Sequence, residues 1–370
     1  MRLSEIGELS LTEIIRNRFT QKSKLHLRRK GIIVGIGDDA AVLISRGNNL
    51  LITSDMMVEG VHFDLSFVTP YQLGFKLVSI NVSDIYAMGG RPQHLLLDIA
   101  LNKNIEESFL NRFFNGVQDA IKLYGVSLVG GDISSSKKDM VVAASLTGYS
   151  ERPVKRSGAR RGDKIYVTGN LGDSACGLKL LKRIKRMDGG GNSQLRTPVR
   201  AGLPRPYELS KLGLTWNVVK PLLKRHLMPE ARNPGNFVKH ATAMIDLSDG
   251  LFIDLSRLCA ESKVGARIYM ERIPVSNNLK KVSSALKMDS FNLAVSGGED
   301  YELLFTAPST SPIPSLPGRG AGEVKITYIG EITNSGRIIV DKKGKEATFS
   351  PKGYQHFAPT GSVHSEPVEL

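Results

Sequence analysis

The sequence contains little cysteine, few aromatic residues and no long apolar run. Its two cysteines, Cys176 and Cys259, are far apart and form no metal-type pair, so we expect both to be reduced residues of a cytoplasmic protein. No window approaches the roughly 18 consecutive apolar residues of a membrane-spanning helix, and the first residues show no secretion signal. We therefore expect a cytoplasmic protein that has no membrane partner.

The common nucleotide-binding loops are also absent. There is no G-x-x-x-x-G-K-[ST] segment, "GIGDDA" lacks the third glycine of a dinucleotide fingerprint, and no kinase-type H-R-D or D-F-G set occurs. If the chain binds ATP, it must do so through acidic loops, metal ions, Gly-Gly backbone and a few basic residues such as Arg156.

Charge is abundant but unevenly distributed. The 370 residues carry 50 Lys and Arg against 36 Asp and Glu, a net charge of +14, which admits nucleic acid, anionic surfaces and phosphorylated ligands as partners. The basic runs contain few aromatic residues, however, whereas single-strand binders place aromatics among their basic residues. We therefore expect no specific nucleic-acid partner.

The alternation of apolar runs and breakers predicts two α/β domains, residues 1–150 and 151–357, followed by a disordered tail at 358–370. Helices are predicted over 3–19 and from Thr69-Pro70 to about Met88, and "FNLAVSGG" is predicted to be a strand. Several strands are close enough in sequence to be antiparallel, which favours mixed sheets. The breaker-rich segment 187–206 predicts a flexible surface insertion.

Acidic residues follow apolar strands or interrupt an apolar helix in at least five segments. The segments contain Asp38 and Asp39, Asp55, Asp84, Asp132, Asp246 and Asp249, and Glu299, Asp300 and Glu302. Each alone is readily an ordinary turn or capping residue. Clustered carboxylates repel unless a cation holds them, and oxygen ligands without His or Cys suit Mg²⁺. Together they indicate metal-assisted phosphate chemistry.

The same segments carry a family resemblance. Residues 4–357 contain, in order, "GIGDDAAV", "TSDMMVEGVHF", "NVSDIYAMGGRP", "LVGGD", "RSGARRGDKIYVTGNLGDSACGL", "IDLSDGL", "SGGEDYELLF" and "KGYQHF". This set closely resembles the thiamine-monophosphate kinase family. The resemblance implies an α/β fold of the α+β type, in which the mixed N-terminal sheet forms a barrel across a homodimer and the C-terminal domain is an α/β sandwich.

The resemblance also implies an activity, Mg²⁺-assisted phosphoryl transfer from ATP to thiamine monophosphate with several Mg²⁺ ions, and a set of site residues. The implied metal ligands are Asp39, Thr53, Ser54, Asp55, Asp84, Asp132, Asp246 and Asp249. The implied ATP contacts are Gly131, Asp132, Arg156 and Ser248, and the implied thiamine monophosphate contacts are His62, Glu299 and Tyr354. For Asp38 we expect a structural role or a place outside the metal ligands, and no residue is expected to act as a general base.

Related enzymes provide the alternatives. Selenophosphate synthetase requires a reactive Cys or selenocysteine near the N-terminus, and the hydrogenase maturation protein requires a C-terminal cysteine; neither is present. The purine-pathway relatives stay an alternative, but their acceptors would not explain "SGGEDYELLF" together with "KGYQHF".

Overall fold

A computed structural model places the chain in two sheets. It describes residues 31–34, 38–45, 48–187, 205–312, 325–350 and 353. Strands up to residue 150 form a six-stranded sheet, and strands from residue 164 onward form a seven-stranded sheet. Both sheets are mixed and both pack against helices, so the predicted α+β class is confirmed. The division into domains at residue 150 stays a prediction.

The N-terminal sheet has one helical face and one open face. Its elements are β1 (Ile32–Val34), β2 (Ala41–Ser45), β3 (Asn48–Val58), α1 (Pro70–Ala87), β4 (Arg91–Asn102), α2 (Glu107–Tyr124), β5 (Ser127–Ser136) and β6 (Val141–Ser150). The order is β1-β2-β3-β6-β4-β5; β4 and β5 are parallel, and the other neighbours are antiparallel. Buried and half-buried residues alternate along β6, because one face of the sheet lies against α1.

Helix α1 begins where the sequence predicts. The Thr69 hydroxyl accepts a hydrogen bond from the Gln72 backbone at 3.1 Å, and the Gln72 side chain accepts one from the Thr69 backbone at 2.9 Å. This capping box, with Pro70 in the first turn, satisfies backbone donors that would otherwise lack partners. The helix is buried on nearly all sides, because the sheet covers one side and α2 another.

Two glycines allow α1 and α2 to cross closely. A Cβ added at Gly116 would lie 1.9 Å from the Tyr71 carbonyl oxygen, and one at Gly74 would lie 2.2 Å from the Phe113 carbonyl oxygen. No larger side chain fits at either position without moving a helix backbone. The crossing therefore fixes α1, which carries several of the candidate site residues.

The C-terminal sheet is packed with short helices. Its elements are β7 (Lys164–Thr168), α3 (Asp173–Met187), α4 (Pro206–Lys211), α5 (Trp216–Leu227), a 3₁₀ segment (Gly235–His240), β8 (Ala243–Asp246), α6 (Leu251–Ser262), β9 (Gly265–Tyr269), a second 3₁₀ segment (Met270–Arg272), α7 (Asn277–Ala285), α8 (Ser290–Ser296), β10 (Leu303–Ala307), β11 (Ile326–Thr333), β12 (Arg337–Val340) and β13 (Glu346–Thr348). The order is β13-β12-β9-β11-β7-β10-β8, with β12 parallel to β9 and the other neighbours antiparallel. Strand β8 ends at Asp246, beside α1.

One predicted strand is wrong. The "FNLAVSGG" segment forms helix α8, because the Asp289 side chain accepts a hydrogen bond from the Phe291 backbone at 2.9 Å and caps it. Such short apolar runs do not separate strand from helix by periodicity. The predicted helix 3–19, residues 188–204 of the predicted insertion and the predicted tail lie outside the described residues. No helix in the described part of the chain is long and apolar enough to cross a membrane.

Candidate active site

Three carboxylates from distant segments meet between the two sheets. Asp39 precedes β2, Asp84 lies in α1 and Asp246 ends β8. One oxygen of each lies within 4.8 Å of an oxygen of the others, and the Asp39 and Asp246 residues are buried. The structure thus brings together three of the predicted metal ligands, each presented by a separate part of the chain.

Neighbouring hydroxyl groups and one guanidinium orient these carboxylates. The Thr53 hydroxyl donates to Asp84, and the Ser83 hydroxyl donates to Asp246 at 2.8 Å. Ser83 and Asp84 are consecutive in α1, so one turn of this helix supplies the Asp84 carboxylate and also the hydroxyl that binds Asp246. Thr53, a predicted ligand, contacts the cluster through this hydrogen bond.

Asp55 adds a fourth charge nearby. Its backbone N–H donates to the Asn81 side chain at 3.2 Å, which ties β3 to α1. Burial, followed by the charges of Asp249 and Asp39, raises its pKa to about 6. Asp55 is therefore electrostatically part of the cluster.

Asp84 and Asp246 resist ionisation without a cation. The pKa of Asp84 is raised well above its usual value by burial and then by Asp55, and that of Asp246 by burial and then by Asp39. The donors are carboxylate oxygens with neither His nor Cys among them. This donor set suits a hard divalent cation such as Mg²⁺ and does not suit zinc. The predicted magnesium role fits these residues.

Arg156 supplies the positive charge next to the cluster. Its guanidinium donates to Asp39 at 2.6 Å and 3.3 Å, and its backbone N–H donates to Asp38 at 2.6 Å. Burial raises the pKa of Asp38 to about 6, even though the Arg156 N–H opposes the shift. Asp38 thus anchors the backbone of Arg156, and Asp39 holds its side chain.

The turn after β8 has its own ion-pair network. Arg257 contacts the carboxylates of both Asp249 and Asp254, the latter at 2.9 Å. Asp254 also accepts hydrogen bonds from the backbones of Asp249 and Gly250, at 3.1 Å and 3.0 Å. Burial and the Asp249 charge raise the pKa of Asp254 to about 7. The sequence analysis did not single out Arg257.

Other predicted ligands are placed differently. The Ser54 hydroxyl lies on the face of β3 opposite to Thr53, donating to the Ala144 carbonyl at 3.1 Å. Asp132 is exposed on β5 next to Gly131, and its backbone donates to Asp98 at 2.8 Å. Neither side chain belongs to the three-carboxylate cluster, so both assignments stay predictions.

The predicted substrate contacts are only partly described. The His62 Nδ1 atom accepts a hydrogen bond from the Val58 backbone at 2.9 Å, just after β3. Glu299 lies in the 297–302 loop; its carboxylate forms an ion pair with Lys76 at 2.7 Å and lies 3.0 Å from His226 Nδ1. Tyr354 lies outside the described residues.

Lys76 is a site residue that the sequence analysis missed. It is a nearly buried cation in an apolar stretch of α1, the same signal that drew attention to Asp84 in that helix. Tyr301 was missed as well. Burial, followed by the charges of Glu299, Asp55, Asp246 and Asp249, raises the pKa of its phenol.

The chain matches two family models. Residues 37–150 match the AIR synthase related protein N-terminal domain, and residues 160–343 match its C-terminal domain. Among curated proteins, the thiamine-monophosphate kinase of Aquifex aeolicus is 37% identical, over 96% of this chain and all of that protein. The enzyme of the same name from Escherichia coli K12 is 34% identical over 89% of this chain and 94% of its own length.

Solved structures are similar over nearly the whole chain. A structure described as AaThiL complexed with AMPPCP and TMP has a TM-score of 0.75 and 35% identity, covering 96% of this chain and 99% of that one. Thiamine-monophosphate kinase from Stenotrophomonas maltophilia has a TM-score of 0.64 and 28% identity, covering 91% and 97%. The hydrogenase maturation protein HypE in complex with ATP, at 18% identity and a TM-score of 0.55, shares the fold.

Proposed function

The chain belongs to the thiamine-monophosphate kinase family, and we propose that it transfers the γ-phosphoryl group of ATP to thiamine monophosphate, giving thiamine diphosphate and ADP. The observation that carries this proposal is the meeting of Asp39, Asp84 and Asp246 from three separate segments. The similar AaThiL structure, which is complexed with AMPPCP and TMP, supports the pair of substrates.

The reaction needs charge neutralisation more than it needs a base. A phosphate monoester has a second pKa of about 6, so its attacking oxygen is largely ionised at neutral pH. That oxygen forms a bond to the γ-phosphorus while the bond from the γ-phosphorus to the bridging oxygen of ADP breaks. The obstacle is the repulsion between two polyanions, which positive charge and alignment reduce.

The acidic cluster is the proposed place for Mg²⁺. Asp39, Asp84 and Asp246 would hold it together with the predicted ligands Thr53, Ser54, Asp55, Asp132 and Asp249. Bound Mg²⁺ would neutralise and align the phosphates of both substrates. The number of ions is predicted to be more than one.

Arg156 has a second proposed role in this chain. Its guanidinium lies beside Asp39, at the edge of the acidic cluster, where it would contact ATP phosphates together with Gly131, Asp132 and Ser248. Thiamine monophosphate is proposed to contact His62, Glu299 and Tyr354. No residue is assigned as general base.

We further propose a homodimer formed through the open face of the N-terminal sheet. That face and the edge strand β5 expose large apolar side chains: Met56, Leu96, Leu128, Val129 and Ile133. Exposed large apolar side chains on one sheet favour burial against another protein, and a second copy of the sheet would complete a barrel. Cytoplasmic location is proposed as well; Cys176 and Cys259 are buried free thiols, consistent with a reducing compartment.

A direct assay tests the proposed function. Purified protein is incubated with ATP, Mg²⁺ and either thiamine monophosphate or free thiamine, and thiamine diphosphate, thiamine monophosphate and ADP are quantified. We expect sustained turnover of the monophosphate and little of free thiamine, because the attacking group is a phosphate oxygen. Turnover of free thiamine with none of the monophosphate would refute the assignment.

A further inference from the structure

The Glu299 carboxylate is held by two buried side chains that no predicted role includes. Lys76 Nζ lies 2.7 Å from one carboxylate oxygen, and His226 Nδ1 lies 3.0 Å from the other. We propose that Lys76 and His226 are positioning residues, which fix Glu299 so that it receives the aminopyrimidine end of thiamine monophosphate. This inference rests on the proposed function and adds the orientation of the substrate within the site.

The three side chains come from three different elements. Lys76 lies in α1 beside the N-terminal sheet, His226 lies in α5, and Glu299 lies in the loop between α8 and β10. Lys76 and His226 are each only 4% exposed. Two buried groups from separate helices that contact the two oxygens of one carboxylate leave it little freedom to change rotamer.

The backbone of the loop is fixed as firmly as its side chain. Glu299 has a φ of 63°, in the left-handed region that residues other than glycine seldom adopt. Its N–H donates to the Ser248 carbonyl at 2.7 Å, and a Cβ on Gly298 would lie 2.5 Å from that same oxygen. The loop therefore rests on the turn that follows Asp246, which ties Glu299 to the acidic cluster.

The charges leave Glu299 available as an acceptor. The charge of Lys76 and the hydrogen bond from His226 hold its pKa well below the usual range despite burial, so the carboxylate is ionised. Burial lowers the pKa of His226, so a neutral imidazole donates one hydrogen bond from Nδ1. The Glu299 side chain remains 29% exposed, and each carboxylate oxygen accepts more than one hydrogen bond. An amino group on a heteroaromatic ring is a suitable donor.

Helix α1 sets the distance between the two ends of the site. Lys76 and Asp84 are eight residues apart, which corresponds to about 12 Å along a helix axis. This is comparable to the length of extended thiamine monophosphate from its phosphate to its aminopyrimidine ring. The cations proposed at the acidic cluster would hold the phosphate there, so the ring at the far end would reach Glu299.

A variant series on the full-length protein tests the assignment. We expect Lys76→Met and His226→Leu to raise KM for thiamine monophosphate at least tenfold and to change KM for ATP less than twofold. His226→Asn retains a donor near the Nδ1 position and should restore most of the loss. In a Glu299→Gln background, Lys76→Met should add almost nothing to KM, because Lys76 acts through the Glu299 charge. This double variant also removes the unpaired buried charge, which protects folding.

Arg232→Met is the matched control. Arg232 forms hydrogen bonds of 2.6 Å and 2.7 Å to Glu302, which lies in the same loop as Glu299. Its loss should lower the melting temperature and leave KM for thiamine monophosphate unchanged. An equal rise in KM in this control, or additive effects of Lys76→Met and Glu299→Gln, would overturn the positioning role.

A truncated acceptor identifies the recognised group. The thiazole ethyl phosphate that lacks the aminopyrimidine ring should show the same KM with wild type, Lys76→Met and Glu299→Gln. If the truncated acceptor loses affinity in the variants as the full substrate does, Glu299 contacts the thiazole or phosphate end and the proposed orientation is wrong. Absence of turnover of thiamine monophosphate by the wild type would instead refute the proposed function itself.

Discussion

Replacing Asp55 by asparagine should stabilise the metal-free protein while removing its activity. Burial and the charges of Asp249 and Asp39 raise the Asp55 pKa from 3.8 to about 6. Two pKa units correspond to ~3 kcal/mol for a fully buried group. Asp55 is half-buried, so solvent screening reduces the expected gain of Asp55→Asn to about 1–2 kcal/mol. At about 2–4 °C per kcal/mol, the melting temperature should rise by roughly 2–8 °C.

The pH dependence gives this prediction a second test. The folded pKa is above the unfolded value, so the penalty of the ionised carboxylate is absent below about pH 4, grows between pH 4 and 6 and is complete above pH 6. The stability advantage of Asp55→Asn should therefore be largest at pH 8 and disappear at pH 4. Melting is followed by calorimetry in EDTA at both pH values.

Addition of Mg²⁺ and ATP should make the wild type more stable than Asp55→Asn. The wild type gains stability by binding, and the variant gains less because it lacks one negative charge that would hold the cation. Turnover of thiamine monophosphate should fall by about 100-fold or more, as expected on losing one electrostatic contact in a transition state. Asp132→Asn, which alters an exposed carboxylate, is the control and should leave the metal-free melting temperature unchanged.

Two results would refute the reasoning. A lower metal-free melting temperature for Asp55→Asn at pH 8 would mean that its carboxylate makes favourable contacts and is not repelled by its neighbours. Full stabilisation by Mg²⁺ and ATP together with normal turnover would mean that Asp55 is an ordinary strand residue.

Three further predictions concern the cation, the helix crossing and the dimer face. Mg²⁺ affinity, measured by calorimetry, should rise from pH 5 to pH 7, because Asp55, with its pKa of about 6, and the more strongly shifted Asp84 and Asp246 must lose protons to bind a cation; a constant affinity would contradict this. Gly116→Ala should destabilise the fold in urea titrations by about 1–3 kcal/mol or more, because its Cβ would lie 1.9 Å from the Tyr71 carbonyl oxygen. Gly125→Ala is the control, because Gly125 is left-handed but has no atom within 4 Å of the added Cβ. This substitution should lower the free energy of unfolding by about 1 kcal/mol or less. Ile133→Lys should shift the light-scattering mass from dimer to monomer. Leu123 is a similarly exposed apolar residue on α2, and Leu123→Lys should leave the dimer intact. If both variants are dimers, the interface does not include Ile133.

The sequence predicts the acidic cluster better than its surroundings. An acid such as Asp84 inside an apolar helix needs a partner, and that argument alone anticipates a special site. The same argument applies to Lys76, a nearly buried cation in the same apolar helix. Nothing local distinguishes His226 from Lys224 and Arg225, because its role depends on which helix faces the Glu299 loop.

Local backbone structure explains two further features that the sequence did not predict. Thr53 and Ser54 are adjacent in one motif, yet a strand turns consecutive side chains to opposite faces, so only Thr53 reaches Asp84. Helix α8 has the sequence SFNLAVS, whose short apolar stretches also suit a strand, and the cap supplied by Asp289 decides in favour of a helix. Residue type thus anticipated which groups matter, whereas three-dimensional pairing decides which of them meet.

The ion pair between Arg156 and Asp39 would couple binding of the proposed cation to binding of the nucleotide. Arg156 cannot turn fully toward a nucleotide phosphate without weakening its 2.6 Å contact to the buried Asp39 carboxylate, which would be left unpaired at a substantial cost. A cation held by Asp39 removes that cost, because it replaces the positive charge that Arg156 withdraws. Cation binding at Asp39 and nucleotide binding at Arg156 are therefore expected to favour each other, and the coupling is reciprocal. The adjacent carboxylates of the "GDDAAV" turn would serve both events, since the hydrogen bond from the Arg156 backbone to Asp38 does not involve the guanidinium.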